Sequence, residues 1–343
     1  MMRALGAFVV LLIGCSDDNV YMKPSILFTD NKNLEEEYIK GVELESAIDS
    51  VVSPFSMICW EDKLVISEMG FNGIFHTLDL NTDEYEELFG TKGKERGELL
   101  FPSSLNIGDN GELQVYDPNS IKMLSYQYVN EENKYILDEE YKFENLQGVP
   151  NLFKVKNEIL TTSTLNADYR LYVYDLNGDY KRSLGKLPIT NESQPSRVLA
   201  EACYAWPRYY NGILVFGYYI APFIQILNIE TGDWFLIKGP EDFDFEYQIV
   251  PVPDSPYAVS EETRVGYIDV QISDNFIYAL YNGRYQKDDG EFNVNTVYVF
   301  GRDGKPVKKL ILDEGIIRFA VYKDNYIYGI KDGEEFRLYK YEI

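Results

Sequence analysis

FGTKGKERGELLFPSSLNIGDNGELQVYDPNSIKM, residues 89–123, holds the local grammar of the whole chain. A Gly-rich turn closes on Gly97-Glu98-Leu99. A strand led by Pro102 follows, then the tight turn Asp109-Asn110-Gly111. A second strand, Glu112 to Tyr116, stops at Asp117-Pro118-Asn119. Asn, Asp and Gly supply the positive φ that a short hairpin turn needs, so the segment reads as two antiparallel strands joined tightly.

The same unit recurs on both sides of this stretch. Asp62-Lys63 leads into LVIS, Asn157-Glu158 into ILTTS, Asn211-Gly212 into ILVFGY, Asp274-Asn275 into FIYALY and Asp324-Asn325 into YIYGI. The first strand residues, Leu64, Glu112, Ile159, Ile213, Phe276 and Tyr326, stand 47 to 63 residues apart. Six copies near that period match propeller blades of four strands each. A second hairpin accompanies the first in most copies, as in Phe75 to Leu78 turning into Tyr85 to Phe89, or Ile224 to Leu227 turning into Trp234 to Ile237. The last copy holds only three strands, ending with Phe336 to Glu342, which would leave a raw sheet edge. Tyr38 to Glu45 is the unassigned strand upstream, and it is expected to close the ring beside Phe336 to Glu342. The expected fold is all-β: a six-bladed β-propeller of four-stranded antiparallel blades over residues 38–343.

Residues 90–123 resemble the NHL-type and TolB-like six-bladed propellers, especially those carried by Gram-negative lipoproteins. Gly93, Gly97, Glu98, Pro102, Asp109, Gly111, Val115, Asp117, Asn119 and Ile121 fit the family pattern. Glu95, Arg96 and Leu99 depart from it, standing where Gly, Pro and Phe are usual. The other five copies match by period alone. The resemblance implies a fold, while function on a propeller belongs to the site grafted onto it.

Ahead of the repeats, Arg3 precedes an apolar run from Ala4 to Ile13, too short to span a bilayer but of signal-peptide length. It ends in Leu12-Ile13-Gly14-Cys15, which resembles the lipobox of bacterial lipoproteins. This implies a signal peptide over residues 1–14, lipidation at Cys15 and an outer-membrane lipoprotein facing the periplasm or the cell surface. The alternative is an ordinary secretory signal with a chance Cys. Residues 15–37 read as an acidic leader or tether, and removal of residues 16–30 should cost little. Its opening Ser16-Asp17-Asp18-Asn19 resembles a surface-export signal and equally suits a solvated tether. Cys59 and Cys203 fall in different repeats and are expected to be free thiols.

The formal charge of −24 repels phosphates, so nucleic acid and anionic lipid surfaces are poor partners; contact with a membrane is expected through the lipid alone. The single histidine, His76, excludes a multi-His zinc site and disfavours a Ser-His-Asp site. Asp79-Asn81-Asp83 and Asp175-Asn177-Asp179 begin like calcium loops but lack the Gly and Glu that complete one. No catalytic residue and no cofactor is assigned, although a divalent cation fits a second reading: a hydrolase or lactonase with a carboxylate site in the central channel, from candidates such as Glu68, Asp117 and Asp269.

Loop length carries more information. Three long connections, Leu187 to Ala202, Gly239 to Arg264 and Asn282 to Asn293, all emerge on one face, where long loops usually serve function. They carry Arg197, Tyr204, Trp206, Tyr218, Tyr219, Tyr257, Arg264, Arg284 and Tyr285. A mixed Arg-aromatic surface suits a glycan, a peptide or a protein partner. The preferred expectation is therefore a monomeric binding or scaffolding module rather than an enzyme. Each single aromatic residue, taken alone, is more simply a wedge between blades.

Overall fold

The computed structural model describes residues 20–29, 34–44, 51–69, 74–129, 134–250, 257–288 and 293–343. Cys15, the signal segment and the Ser16–Asn19 cluster lie outside the described residues. Six antiparallel sheets form the blades. Blade one is Pro54–Trp60, Lys63–Glu68, Phe75–Asp79 and Glu84–Phe89. Blade two is Ser104–Ile107, Leu113–Asp117, Lys122–Val129 and Lys134–Lys142. Blade three is Leu152–Val155, Glu158–Thr161, Leu171–Asp175 and Tyr180–Leu184. Blade four is Ala205–Tyr210, Ile213–Tyr218, Phe223–Asn228 and Trp234–Lys238. Blade five is Tyr267–Ile272, Phe276–Tyr281, Val294–Gly301 and Pro306–Ile316. Blade six is Arg318–Tyr322, Tyr326–Lys331, Arg337–Glu342 and, from the start of the chain, Gly41–Glu43.

The turn chemistry behaves as its residues dictate. Asn211 and Gly212 both take positive φ, 45° and 75°, in a two-residue hairpin between Tyr210 and Ile213. In blade six the positive φ falls on Lys323 and Asp324, one residue earlier than the expected Asp324-Asn325, and the loop holds three residues between the paired Tyr322 and Tyr326. The aspartates of these turns have a second duty. Tyrosine hydroxyls from other blades donate to them: Tyr278 to Asp324 at 2.9 Å, Tyr322 to Asp62 and Tyr328 to Asp83 at 2.9 Å from adjoining blades, and Tyr209 of blade four to Asp109 of blade two. Each such tyrosine buries its ring between blades and spends its hydroxyl on another blade's turn, which accounts for part of the chain's high tyrosine content.

The Phe89–Met123 stretch folds around one ammonium group. Lys122 is buried and donates to the carbonyls of Glu95 at 2.7 Å and Glu98 at 3.1 Å, so the Gly-rich loop wraps it. Asp117 accepts from the backbone of Leu100 and Asn119 and from the Ser120 hydroxyl. The motif is thus a structural fastener, and Asp117 is fully committed to it. The two calcium-loop look-alikes are turn caps: Asp79 accepts from the Asn81 and Thr82 amides, and Asp175 from those of Asn177 and Asp179. Cys59 and Cys203 are free.

The ring closes where expected, on a shorter strand. Gly41–Glu43 pairs antiparallel with Arg337–Glu342, setting Tyr341 opposite Gly41 and Tyr339 opposite Glu43. Gly41 is required because a Cβ there would come within 2.7 Å of the Tyr341 ring. The residues before it depart from the reading of a free tether. Glu35–Ile39 forms a parallel fifth strand on blade five, against Lys308–Leu312. Ile26–Leu27 adds a parallel fifth strand to blade four. Phe28 inserts its ring edge-on against Tyr298 and Phe300, at 5.4 and 5.3 Å, and so plugs the seam between blades four and five. Val20–Tyr21 pairs with Ile189–Thr190 in the connection leading into blade four.

Candidate ligand site at the axis

The first strand of each blade lies innermost. Blade four's first strand packs directly on that of blade two as well as that of blade five, which narrows the channel. Arg208, from that strand, fills the constriction. It is 6% exposed and donates to the carbonyls of Leu105 at 2.8 Å and Met57 at 3.1 Å and to the Ser56 hydroxyl. Asp269 of blade five stands 3.7 Å from it. Asp269 is 2% exposed and accepts from the Val270 and Phe319 amides. Burial pushes its carboxyl above the usual range, opposed by Arg208 and Arg318, and burial holds the Arg208 guanidinium below its ordinary value. The axis is therefore divided by an ion pair into two clefts.

The cleft on the long-loop face is a funnel of two adjoining cavities. One, of about 220 Å³, is lined by residues that include Phe55, Phe101, Asn151, Arg208, Asp269 and Arg318. The other, of about 340 Å³, is lined by residues that include Tyr219, Ile268, Asn282 and Asp332. Tyr204, Trp206 and Arg318 belong to both walls. The Arg318 guanidinium lies over the Trp206 ring at 4.2 Å, while its Nε and Nη1 are held by the carbonyls of Phe55 at 2.9 Å and Ile317 at 2.7 Å. Phe55 packs edge-on to Phe101 at 4.9 Å, and Tyr204 edge-on to Trp206 at 5.4 Å. The result is a pre-shaped aromatic mouth around a fixed positive charge, the composition usual for a ligand cleft.

The three long connections do meet on this face. The Tyr247 hydroxyl donates to Gln194 at 2.7 Å, and Gln286 donates to the Tyr219 hydroxyl at 3.1 Å. A bridge joins Arg264 and Tyr285. The nine residues singled out from these loops nonetheless separate. Tyr204, Trp206 and Tyr219 reach the funnel. Tyr218 does not: it is 0% exposed, donates to Gln225 at 2.7 Å and packs on Phe223 and Phe245, because alternation along its strand turns it into the core. Arg197 is tied to Glu201 one helical turn away on Ser196–Ala202. Tyr257 is half-buried against Tyr247. Arg264 is paired with Glu241 and stacked over Phe243 and Tyr285, and Arg284 donates to the Asn293 carbonyl at 2.6 Å. This second cluster stands on the loops, with Arg197 and Arg264 already paired with carboxylates and Arg284 held by a carbonyl.

Phe55, Phe101 and Arg318 were missed because they are not loop residues. They stand at or just before the inner-strand starts of blades one, two and six, and aligning the copies at that position rather than at the hairpin turns would have collected them with Trp206. Of the carboxylates considered for a channel cation, only Asp269 lies at the axis. Glu68 sits within blade one, bound to His76 and accepting from the Val52 amide at 3.2 Å.

The TolB-like 6-blade propeller-like family matches residues 32–324. Among solved structures, a candidate exported protein from Bacteroides fragilis superposes with a TM-score of 0.57 at 12% identity, covering 93% of this chain and 99% of that one. The WD40 repeats of RRP9 align with a TM-score of 0.48 at 8% identity over 89% of this chain and 99% of that one, and U3-55K with 0.47 at 8% over 85% and 96%. No protein of curated function matches the chain. With six blades closed by an N-terminal strand and the family match running through nearly all of them, the chain belongs to the TolB-like six-bladed propellers.

Proposed function

We propose that this propeller is an extracytoplasmic binding module that captures a ligand in the axial funnel of its long-loop face. The observation that carries this is the sharing of Tyr204, Trp206 and Arg318 by two adjoining cavities, which makes one continuous aromatic and cationic mouth. A glycan, a peptide or a loop of a protein partner fits such a mouth. A glycan and peptide array with the mature chain tests the reading. Trp206→Ala and Arg318→Gln are expected to weaken capture at least about tenfold, the loss of one well-placed contact of about 1.4 kcal/mol. Asp274→Ala on the opposite face should leave capture unchanged. Equal capture by all variants, or loss only with Asp274→Ala, would place the site elsewhere.

The lipid anchor belongs to the same proposal. Cys15 ends the apolar segment in a lipobox-like Leu12-Ile13-Gly14-Cys15, and several acyl chains at ~0.8 kcal/mol per buried CH₂ would hold the protein on a membrane. The similar Bacteroides fragilis protein is itself a candidate for export, in agreement with an extracytoplasmic place for this chain. A Cys15→Ala variant is expected to lose fatty-acid labelling and to keep its signal segment. Labelling equal to that of the native chain would refute the assignment.

A further inference from the structure

The funnel has donors without acceptors. Trp206 Nε1 and Arg208 Nε are buried and meet no acceptor among the described residues. Arg318 has no carboxylate within 4.0 Å among those residues, and its Nη2 has no partner beside the two carbonyls and the weaker contact to Ile268 that hold Nε and Nη1. All three side chains line the smaller cavity. The one carboxylate in that wall, Asp269, already serves two backbone amides and Arg208. A buried donor left without an acceptor is costly, so such groups are ordinarily matched by something. In a protein of charge −24, the smaller cavity, with two guanidinium groups and one committed carboxylate, is locally cationic, while Asp332 stands in the wall of the second cavity.

The second cavity has the opposite polar character. Asp332, Asn282 and the Tyr219 edge stand around an otherwise apolar wall. The Asp332 carboxylate is an acceptor for hydroxyls, whereas Asn282 Oδ1 already accepts from the Arg284 amide and the Tyr219 hydroxyl from Gln286; the flat aromatic surfaces beside them suit the C–H faces of a ring. A donor-rich cavity opening into an acceptor-bearing aromatic cavity matches a ring that carries an acid at one end and hydroxyls at the other.

We propose that the smaller cavity takes the carboxylate of an acidic sugar, held by Arg318 and the Trp206 indole N–H, with the sugar body extending into the second cavity. The inference rests on the binding function proposed above and adds the chemistry of its ligand. Arg318 supplies a charge-assisted bond whose geometry is preset by its two carbonyl anchors and by the Trp206 ring. Arg208 completes the electrostatic floor without needing to move.

The experiment is titration calorimetry on the full mature chain with four probes: digalacturonate, its dimethyl ester, and a tetrapeptide with a free or an amidated C-terminus. Digalacturonate should bind at least about tenfold more tightly than the ester. Arg318→Gln should erase that difference, and Trp206→Phe, which keeps an aromatic ring of smaller area and removes the N–H, should reduce digalacturonate binding several-fold while thermal melting stays near that of the native chain. Arg318→Lys should retain part of the preference. Acid and ester binding alike, with dependence on Trp206, would overturn the carboxylate assignment and leave the binding function standing. Preference for the free peptide terminus over digalacturonate would transfer the site to peptides and overturn the sugar. No binding by any of the four would assign the donors to solvent and overturn the inference.

Discussion

Replacing Arg208 by Met is expected to destabilise the protein by about 3–5 kcal/mol, the cost of leaving one half of a buried ion pair uncompensated. Arg208 binds blades one and two through carbonyls and a hydroxyl and faces blade five through Asp269, so a single side chain joins four of the six blades, its own included. The loss should depend on pH in a definite sense. Burial already raises the Asp269 carboxyl, and Arg208 is the first charge opposing that rise. Without Arg208 the folded-state value climbs further above the unfolded one. A group raised in this way favours the folded state at low pH and loses that contribution as pH rises through the folded value. The gap between variant and native chain should therefore be widest near pH 7 and should narrow on acidification. Urea denaturation at pH 7 and pH 5 measures both effects. A double variant, Arg208→Met with Asp269→Leu, should recover much of the loss, since neither charge then remains buried alone. Equal stability of the single variant and the native chain would show that the constriction is held by packing.

The second large effect concerns the start of the chain. A chain beginning at Leu34 loses Ile26–Leu27 and Phe28, and should be less stable by about 3 kcal/mol, the lower end for removing a buried Phe from its seam. A chain beginning at Ala47 also loses Glu35–Ile39 and the closing strand Gly41–Glu43. It should lose several kcal/mol more, because the edge of blade six and the face of Tyr341 are then open to water. Thermal melting of the two truncated chains beside the mature one checks the order. Identical melting of the Leu34 chain and the mature chain would mean that Phe28 contributes nothing; identical melting of the Ala47 chain would mean the ring does not depend on its closing strand.

These two results bear on what could be read in advance. The blades were legible because each hairpin is a local event: Asn211-Gly212 or Asp109-Asn110-Gly111 writes its geometry into adjacent residues. The closing strand followed from counting strands. The parallel rim strands were not legible. Ile26–Leu27 is two residues long and pairs with residues more than two hundred positions away, so no local pattern marks it. The funnel was half legible. Loop length pointed to the face on which the funnel opens and to Trp206, Tyr204 and Tyr219 in its wall. It also pointed to Arg197 and Arg264, whose charges turn out to be answered by Glu201 and Glu241, and to Arg284, which is held by the Asn293 carbonyl. Pairing is a property of three-dimensional neighbours, and the loops that carry these arginines also carry the carboxylates of Arg197 and Arg264 and the carbonyl that holds Arg284.

The pairing of Val20–Tyr21 with Ile189–Thr190 fixes how such a molecule would be moored. Ile189 and Thr190 belong to the connection between blades three and four, which emerges on the funnel's own face. With the lipid that we propose on Cys15, five Cα-to-Cα steps of 3.80 Å give a leash of at most about 19 Å before the chain is clamped to that rim. The propeller would then ride close against the bilayer with the funnel's edge toward it. Polymers lying along the envelope would reach the mouth sideways, while an object descending end-on would meet the opposite face. Lengthening the leash with a flexible insert after Asn19 should leave intrinsic affinity unchanged and alter only which ligands, free or surface-bound, gain access.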